Sequence, residues 1–332
     1  MQRRELITLL GSAAAASVLA RPLAARAEQQ AAVPVVGFLN GHTAAEFADL
    51  LDDFRRGLSD NGFVEGKTVS IDFRWADGQY DRLPELAAEL VQRKVAVIVG
   101  SDNPSALAAK KATATIPIVF TSDGGPVALG LVTSLNRPGG NVTGVGLFSG
   151  ALAAKRLSLL RELVPAAQVI GLLADPKNVA YAGLRKEAQD AAKSLGLKLQ
   201  VQPANTEREI DAAFASLAQS QVRALMVSAG PDYTWHRRDQ IVALAARYAI
   251  PAIYPVHRFV TAGGLMSYGT VLSDTYHQVG IYAAKLLKGA AVADLPVEQS
   301  SRFAFIINER TAKALGLEIP RKLLALADEV IA

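Results

Sequence analysis

The chain of 332 residues contains no cysteine. That absence excludes disulfides, thiolate zinc sites, iron–sulfur clusters and catalytic thiols together. It also removes the residue to which a lipoprotein anchor would be attached. Histidine is scarce and scattered: His42, His236, His257 and His277 show no H-x-x-x-H spacing, so no metal site is expected. A G-x-S-x-G elbow is missing, and no nucleophile lies beside a base, which argues against a hydrolase. No G-x-G-x-x-G follows the first apolar strand and no Walker sequence occurs, so no nucleotide cofactor is expected. After the first twenty residues no apolar run is long enough to span a bilayer.

The basic balance is a local feature. Lys and Arg number 35 against 31 Asp and Glu, a net charge of +4. Residues 1–27 hold Arg3, Arg4, Arg21 and Arg26 against Glu5; without them the counts are 31 and 30, a net of +1. Nucleic acid therefore loses its main support as a partner. Arg3 and Arg4 precede an apolar stretch, Leu6–Ala20, and Ala25-Arg26-Ala27 offers small residues for cleavage. Residues 1–27 thus read as an export signal, and the adjacent arginines of RRELI suggest the twin-arginine route. The remainder is expected to be soluble in the periplasm with no lipid anchor, away from any pool of ATP or NAD.

What is present is a repeating alternation. Continuous β-branched strands at 35–40, 68–75, 95–100 and 116–121 are separated by amphipathic helices at 44–61, 81–93 and 104–113. Asp81 is a plausible N-cap of the second helix. The run SLNRPGGNVTGVG (134–146) is the densest in glycine and proline, and the pattern then begins again. Helices are expected at 150–163, 179–195, 206–219, 234–248 and 274–288, and strands at 168–173, 197–202, 222–227, 251–254, 264–268 and 303–308, before a helical C-terminus. Two α/β arrays of similar size, each with a parallel sheet buried on both faces, make two Rossmann-like lobes.

In open parallel sheets ligands bind beyond the carboxyl ends of the strands, so a cleft between two such lobes is the natural site. The segment IPIVFTSDGGPVALG (116–130) is one such strand end, and it reads as a strand that opens a helix. Its adjacent glycines followed by proline lack the spacing that wraps a pyrophosphate. Asp123 there either caps that helix or meets the ammonium of a ligand. Seven of the aromatic residues, Trp75, Tyr80, Tyr181, Tyr233, Trp235, Tyr254 and Tyr268, fall near predicted strand ends, where a ring face can stack on a solute.

Several blocks, in order, resemble one family: VGFLN (36–40), FRRGLSDNGFVEGKTVSIDFRWADGQYDRLPELAAELV (54–91) and IPIVFTSDGGPVALGLVTSLNRPGGNVTGV (116–145). AAKRLSLLRELVP (153–165), IPAIYPVHRFVTAGGLMSYG (250–269) and TAKALGLEIP (311–320) continue the likeness. It is the family of ABC-importer substrate-binding proteins that includes the tryptophan- and tyrosine-associated binding proteins. The resemblance implies a type I periplasmic binding fold with crossovers near 147–150, 268–272 and 290–300. One lobe would be 33–148 with about 271–298, the other 149–270 with about 299–332. It implies a monomer that captures a small-molecule solute, such as an amino acid, and docks on a membrane permease, with no cofactor, no metal and no catalysis. A sensor that presents its ligand to a membrane receptor is the alternative, and a periplasmic enzyme comes third. Carried onto matching positions, the site comprises Asn40, Gln79, Ser101, Asn103, Ser122 and Asp123 from the first lobe. From the second lobe it takes Asn178, Tyr181, Gly230, Asp232, Tyr254 and Tyr268. Ser101-Asp102-Asn103, His42 and PDYTW (231–235) depart from the family pattern, so the ligand is not copied from any one relative.

Overall fold

A computed structural model describes residues 33–147 and 151–332, with the side chains of residues 231 and 232 outside the description. The export signal expected at 1–27 and part of the first crossover lie outside the described residues. Eight elements open the fold: β1 (Val35–Asn40), α1 (Ala44–Ser59), β2 (Ser70–Trp75), α2 (Leu83–Gln92), β3 (Val97–Gly100), α3 (Asn103–Ala112), β4 (Ile118–Ser122) and β5 (Val142–Gly146). The second array runs α4 (Ala153–Leu163), β6 (Val169–Ala174), α5 (Tyr181–Ser194), β7 (Lys198–Pro203), α6 (Glu207–Ala218), β8 (Ala224–Val227), α7 (Pro231–Trp235), α8 (Arg238–Arg247), β9 (Ala252–Tyr254), α9 (Arg258–Thr261) and β10 (Met266–Thr270). Then come α10 (Leu272–Leu287), β11 (Glu298–Gln299), β12 (Phe303–Asn308), α11 (Glu309–Ala314), α12 (Arg321–Leu326) and β13 (Glu329–Ile331).

The strands form two sheets, ordered β11-β5-β4-β3-β1-β2 and β13-β12-β10-β9-β8-β6-β7. All pairings in the first are parallel. In the second only β10 and β12 run antiparallel. The chain leaves the first sheet after β5, returns after β10 and leaves again after β11. Helix α10 therefore follows a strand of the second sheet yet packs on the first lobe. Its Tyr276, Val279 and Ala283 join Phe47, Leu50 and Phe54 of α1 in one buried cluster. Glycine permits that contact at close range: a Cβ on Gly57 would sit 2.0 Å from the His277 carbonyl, and one on Gly280 2.2 Å from that of Phe54. The second lobe has its own core, built on Leu157, Leu160, Ile170, Leu172, Met226 and Ile253.

Local signals explain most element starts. Thr43 caps α1 in a reciprocal box with Glu46, and Thr206 does the same for α6 with Glu209. Asp102 caps α3 by accepting the Ser105 N–H at 2.7 Å.

Four expectations need correction, and one strand, β5, was not expected. No helix follows Asp123: residues 125–131 make a single turn, ended by Gly130 at φ 70° and held by the Lys110 ammonium on the carbonyls of Gly130 and Leu131. The glycine-rich run at 134–146 ends in a buried strand, β5, because Gly144 lies flat on β4, where a Cβ would come 2.2 Å from the Phe120 carbonyl. The helix expected over 234–248 is broken into α7 and α8. Asp81 sits in a 3-10 turn and does not cap α2, which starts without a side-chain cap and with Pro in its first turn. The C-terminal segment adds an edge strand, β13, parallel to β12.

Candidate functional site

The carboxyl ends of both sheets face one cleft. At its centre lies a cavity of about 70 Å³ lined from the first lobe by Ser101, Asp102, Asn103, Thr121, Asp123, Leu147, Leu272 and Tyr276. From the second lobe it is lined by Ala229, Gly230, Thr234, Trp235, Pro255 and Val256. Wider hollows flank it, one lined by Gln79, Tyr80, Asn178 and His236, the other by Gly124, Leu129, Ala180 and Leu184.

The polar wall is held by its own backbone contacts. Tyr276 and Thr121 donate their hydroxyls to the Ser101 carbonyl at 2.7 and 2.8 Å. Ser101 in turn donates to the Leu39 carbonyl at 3.1 Å, and burial pushes the Tyr276 phenol well above its ordinary range, so it stays a donor. Asp102 accepts from the Gly41 N–H at 2.9 Å as well as capping α3. Asn103 donates its amide to the Asp123 carboxylate, while its Oδ1 is buried without a hydrogen-bond partner. Burial lifts the Asp123 carboxyl from 3.8 to about 6. Hydrogen bonds from Asn103, from its own backbone and from Asn178 oppose that rise, and the nearby Asp102 charge adds to it. Asn178 lies across the cleft, where its amide donates to the Ala229 carbonyl at 3.2 Å.

The second lobe supplies cover. Trp235, carried by α7, lies 5.2 Å from the Phe47 ring and 5.4 Å from the His42 ring of the first lobe. Arg258 stacks on the outer face of Trp235 at 4.4 Å and pairs with Asp49 of α1 at 2.5 Å. Thr234 donates to the Gly230 carbonyl at 3.0 Å.

Of the twelve sequence-derived residues, Ser101, Asn103, Asp123 and Gly230 line the cavity, and Gln79 and Asn178 line the flanking hollow. The Asp232 side chain lies outside the described residues. The other five sit elsewhere. Asn40 is fully buried and accepts the His42 N–H at 2.6 Å. Ser122 turns back to donate to the Gly124 carbonyl at 2.9 Å. Tyr254 is 1% exposed and stacks on Phe259 at 4.7 Å within the core. Tyr268 packs against the second lobe's core, its carbonyl taking the Arg156 Nε–H at 2.7 Å. Tyr181 packs against the same core beneath Arg185, 5.4 Å from its ring. Sequence reasoning missed Thr121, Tyr276, Leu147, Thr234 and Val256, and did not choose Asp102 or Trp235. The strand-end rule pointed to Asp102 and Thr121, and the helical periodicity of α10 left Tyr276 looking like core.

Residues 33–331 match the family of ABC transporter substrate binding proteins. The tyrosine-binding protein of Clostridioides difficile strain R20291 is 30% identical over 265 residues, covering 80% of this chain and 76% of that protein. An ABC domain from Streptococcus pneumonia solved in complex with L-Trp aligns with a TM-score of 0.84 at 26% identity, over 90% of this chain and 99% of that one. The ligand-free, open structure of an adhesive substrate binding protein from Clostridium difficile aligns at 0.70 with 28% identity, over 90% and 100%. These neighbours share its two-lobed α/β architecture, the type I periplasmic binding protein fold. Among the described residues no helix is long and apolar enough to cross a membrane.

Proposed function

The chain belongs to the ABC transporter substrate-binding protein family, and we propose that it is the periplasmic solute-binding component of an importer. In this reading it captures an amino acid or a related small amine in the cleft and delivers it to a membrane permease as a monomer, without catalysis. One observation carries the ligand class. The groups that converge on the cavity from the first lobe are rich in acceptors: the half-buried Asp123 carboxylate and the partnerless Asn103 Oδ1. A half-buried carboxylate whose pKa is raised by desolvation calls for a positive partner, and an ammonium satisfies both acceptors. The tyrosine- and tryptophan-binding relatives support that class.

The cavity hydroxyls support binding over turnover. Ser101, Thr121 and Thr234 each donate to a backbone carbonyl, not to a base that would activate them. Export is supported by the leader-like residues 1–27. The 70 Å³ cavity is smaller than the ~150 Å³ that holds a benzene ring in another protein. An aromatic amino acid therefore enters only if the lobes part slightly or Trp235 swings, whereas a small one fits with less movement.

A thermal-shift screen of free amino acids and their deaminated analogues tests the reading. Amino acids should raise the melting temperature by mass action. Stabilisation by the deaminated acids alone, or by none of the set, would overturn it.

A further inference from the structure

Apart from the solute cavity, three side chains from both lobes converge at one rim of the cleft. His42 follows β1, Glu46 lies in the first turn of α1, and His236 sits between α7 and α8. One potential donor atom from each lies within 4.8 Å of the others. His42 Nδ1 faces His236 Nε2 at 3.2 Å across the cleft. The second nitrogen of each ring faces a carboxylate: His236 Nδ1 lies 3.3 Å from Glu46 Oε1, and His42 Nε2 lies 3.8 Å from Asp102 Oδ2.

That arrangement poses a charge problem. A neutral imidazole carries one N–H and one lone pair. When each carboxylate draws the N–H of its own ring, the two nitrogens that face each other both present lone pairs. A cation between them removes the repulsion. Ligating histidines show this pattern, with the outer N–H held by a carboxylate that fixes the tautomer. Zinc at 2.0–2.1 Å from two tetrahedrally arranged nitrogens sets them about 3.4 Å apart, close to the separation seen here.

We propose that His42 Nδ1 and His236 Nε2 hold a divalent transition ion such as Zn²⁺, with water completing the coordination and with Glu46 and Asp102 orienting the two rings from outside. Imidazole nitrogens suit zinc. Because His42 belongs to the first lobe and His236 to the second, the ion is a clasp that forms only on closure. A sequence separation of 194 between the two histidines hides the site from any spacing rule.

The test uses the full chain without a histidine tag, titrated with Zn²⁺ alone by calorimetry and with Co²⁺ by visible absorption. Neither readout depends on the solute. We expect one ion per chain, the intense bands of low-coordinate Co²⁺, and a smaller radius of gyration in solution scattering with Zn²⁺. His236→Gln, at a half-buried position, should weaken Zn²⁺ binding at least tenfold and abolish the compaction, and Glu46→Gln should weaken it less. Absence of one-to-one binding, or binding equally tight in His236→Gln, would overturn the proposal. So would closure that responds to pH in metal-free protein and not to Zn²⁺, which would put a proton between the rings instead.

Discussion

The two walls of the cleft differ in chemistry. The first lobe presents Ser101, Asp102, Asn103, Thr121 and Asp123, all but Asp123 buried and all fixed by hydrogen bonds to backbone or to one another. The second presents Ala229, Gly230, Pro255, Val256 and Trp235, with Thr234 its one hydroxyl-bearing side chain among the lining residues. In the proposed function one wall reads the ligand and the other seals it. Preorganised acceptors cost little to use when the solute arrives, and an apolar cover excludes the water that would weaken them. Losing the reader should therefore remove affinity, whereas losing the cover should shorten the lifetime of the complex.

The largest expected effect breaks the reading wall. Asp123→Asn removes the carboxylate proposed to meet the ligand ammonium, and calorimetry should show affinity falling about a hundredfold or more. Thermal melting of the ligand-free protein should be unchanged or slightly raised, because the variant no longer buries a charge. A large loss of ligand-free stability would make Asp123 a structural residue.

Acid should act on the same group. Its carboxyl titrates near 6 in the folded ligand-free protein and near 3.8 when exposed. Between those values the folded chain binds more protons than the unfolded one, so this group's contribution to ligand-free stability falls as pH rises through the window. Affinity for an ammonium moves the other way, dropping roughly tenfold for each pH unit below 6. Parallel slopes for stability and affinity would contradict the assignment.

Smaller effects belong to the covering wall. Trp235→Ala should weaken binding about tenfold, mainly through a faster off-rate in stopped-flow measurements. Asn178→Ala removes a polar group that faces Asp123 across the cleft and should cost only about fivefold. Asp49→Asn breaks the rim pair with Arg258, in which Asp49 is well exposed, and should change affinity less than about threefold.

That asymmetry also explains what was legible in the sequence. The strands of the first lobe are continuous apolar runs whose polar terminators stand out, and the family resemblance falls on those terminators at Ser101, Asn103 and Asp123. Asp123 was ambiguous because Gly124-Gly125-Pro126 resembles a helix start, and the fate of that turn depends on Lys110, a residue on another element. The covering wall is apolar and looks like any core segment. Tyr254 and Tyr268 were chosen as strand-end aromatics, yet their rings turn inward to Phe259 and to the second lobe's core. Tyr276 reaches the cavity from a helix 153 residues beyond Asp123, which no local pattern reports.

The most direct measurement is calorimetry, at pH 7.5, of the amino acid that gives the largest thermal shift, beside its analogue lacking only the amino group. The account predicts tight binding of the amino acid and a loss of about a hundredfold or more for the analogue, with Asp123→Asn nearly insensitive to the difference. Equal affinity of the wild-type protein for both compounds would contradict it.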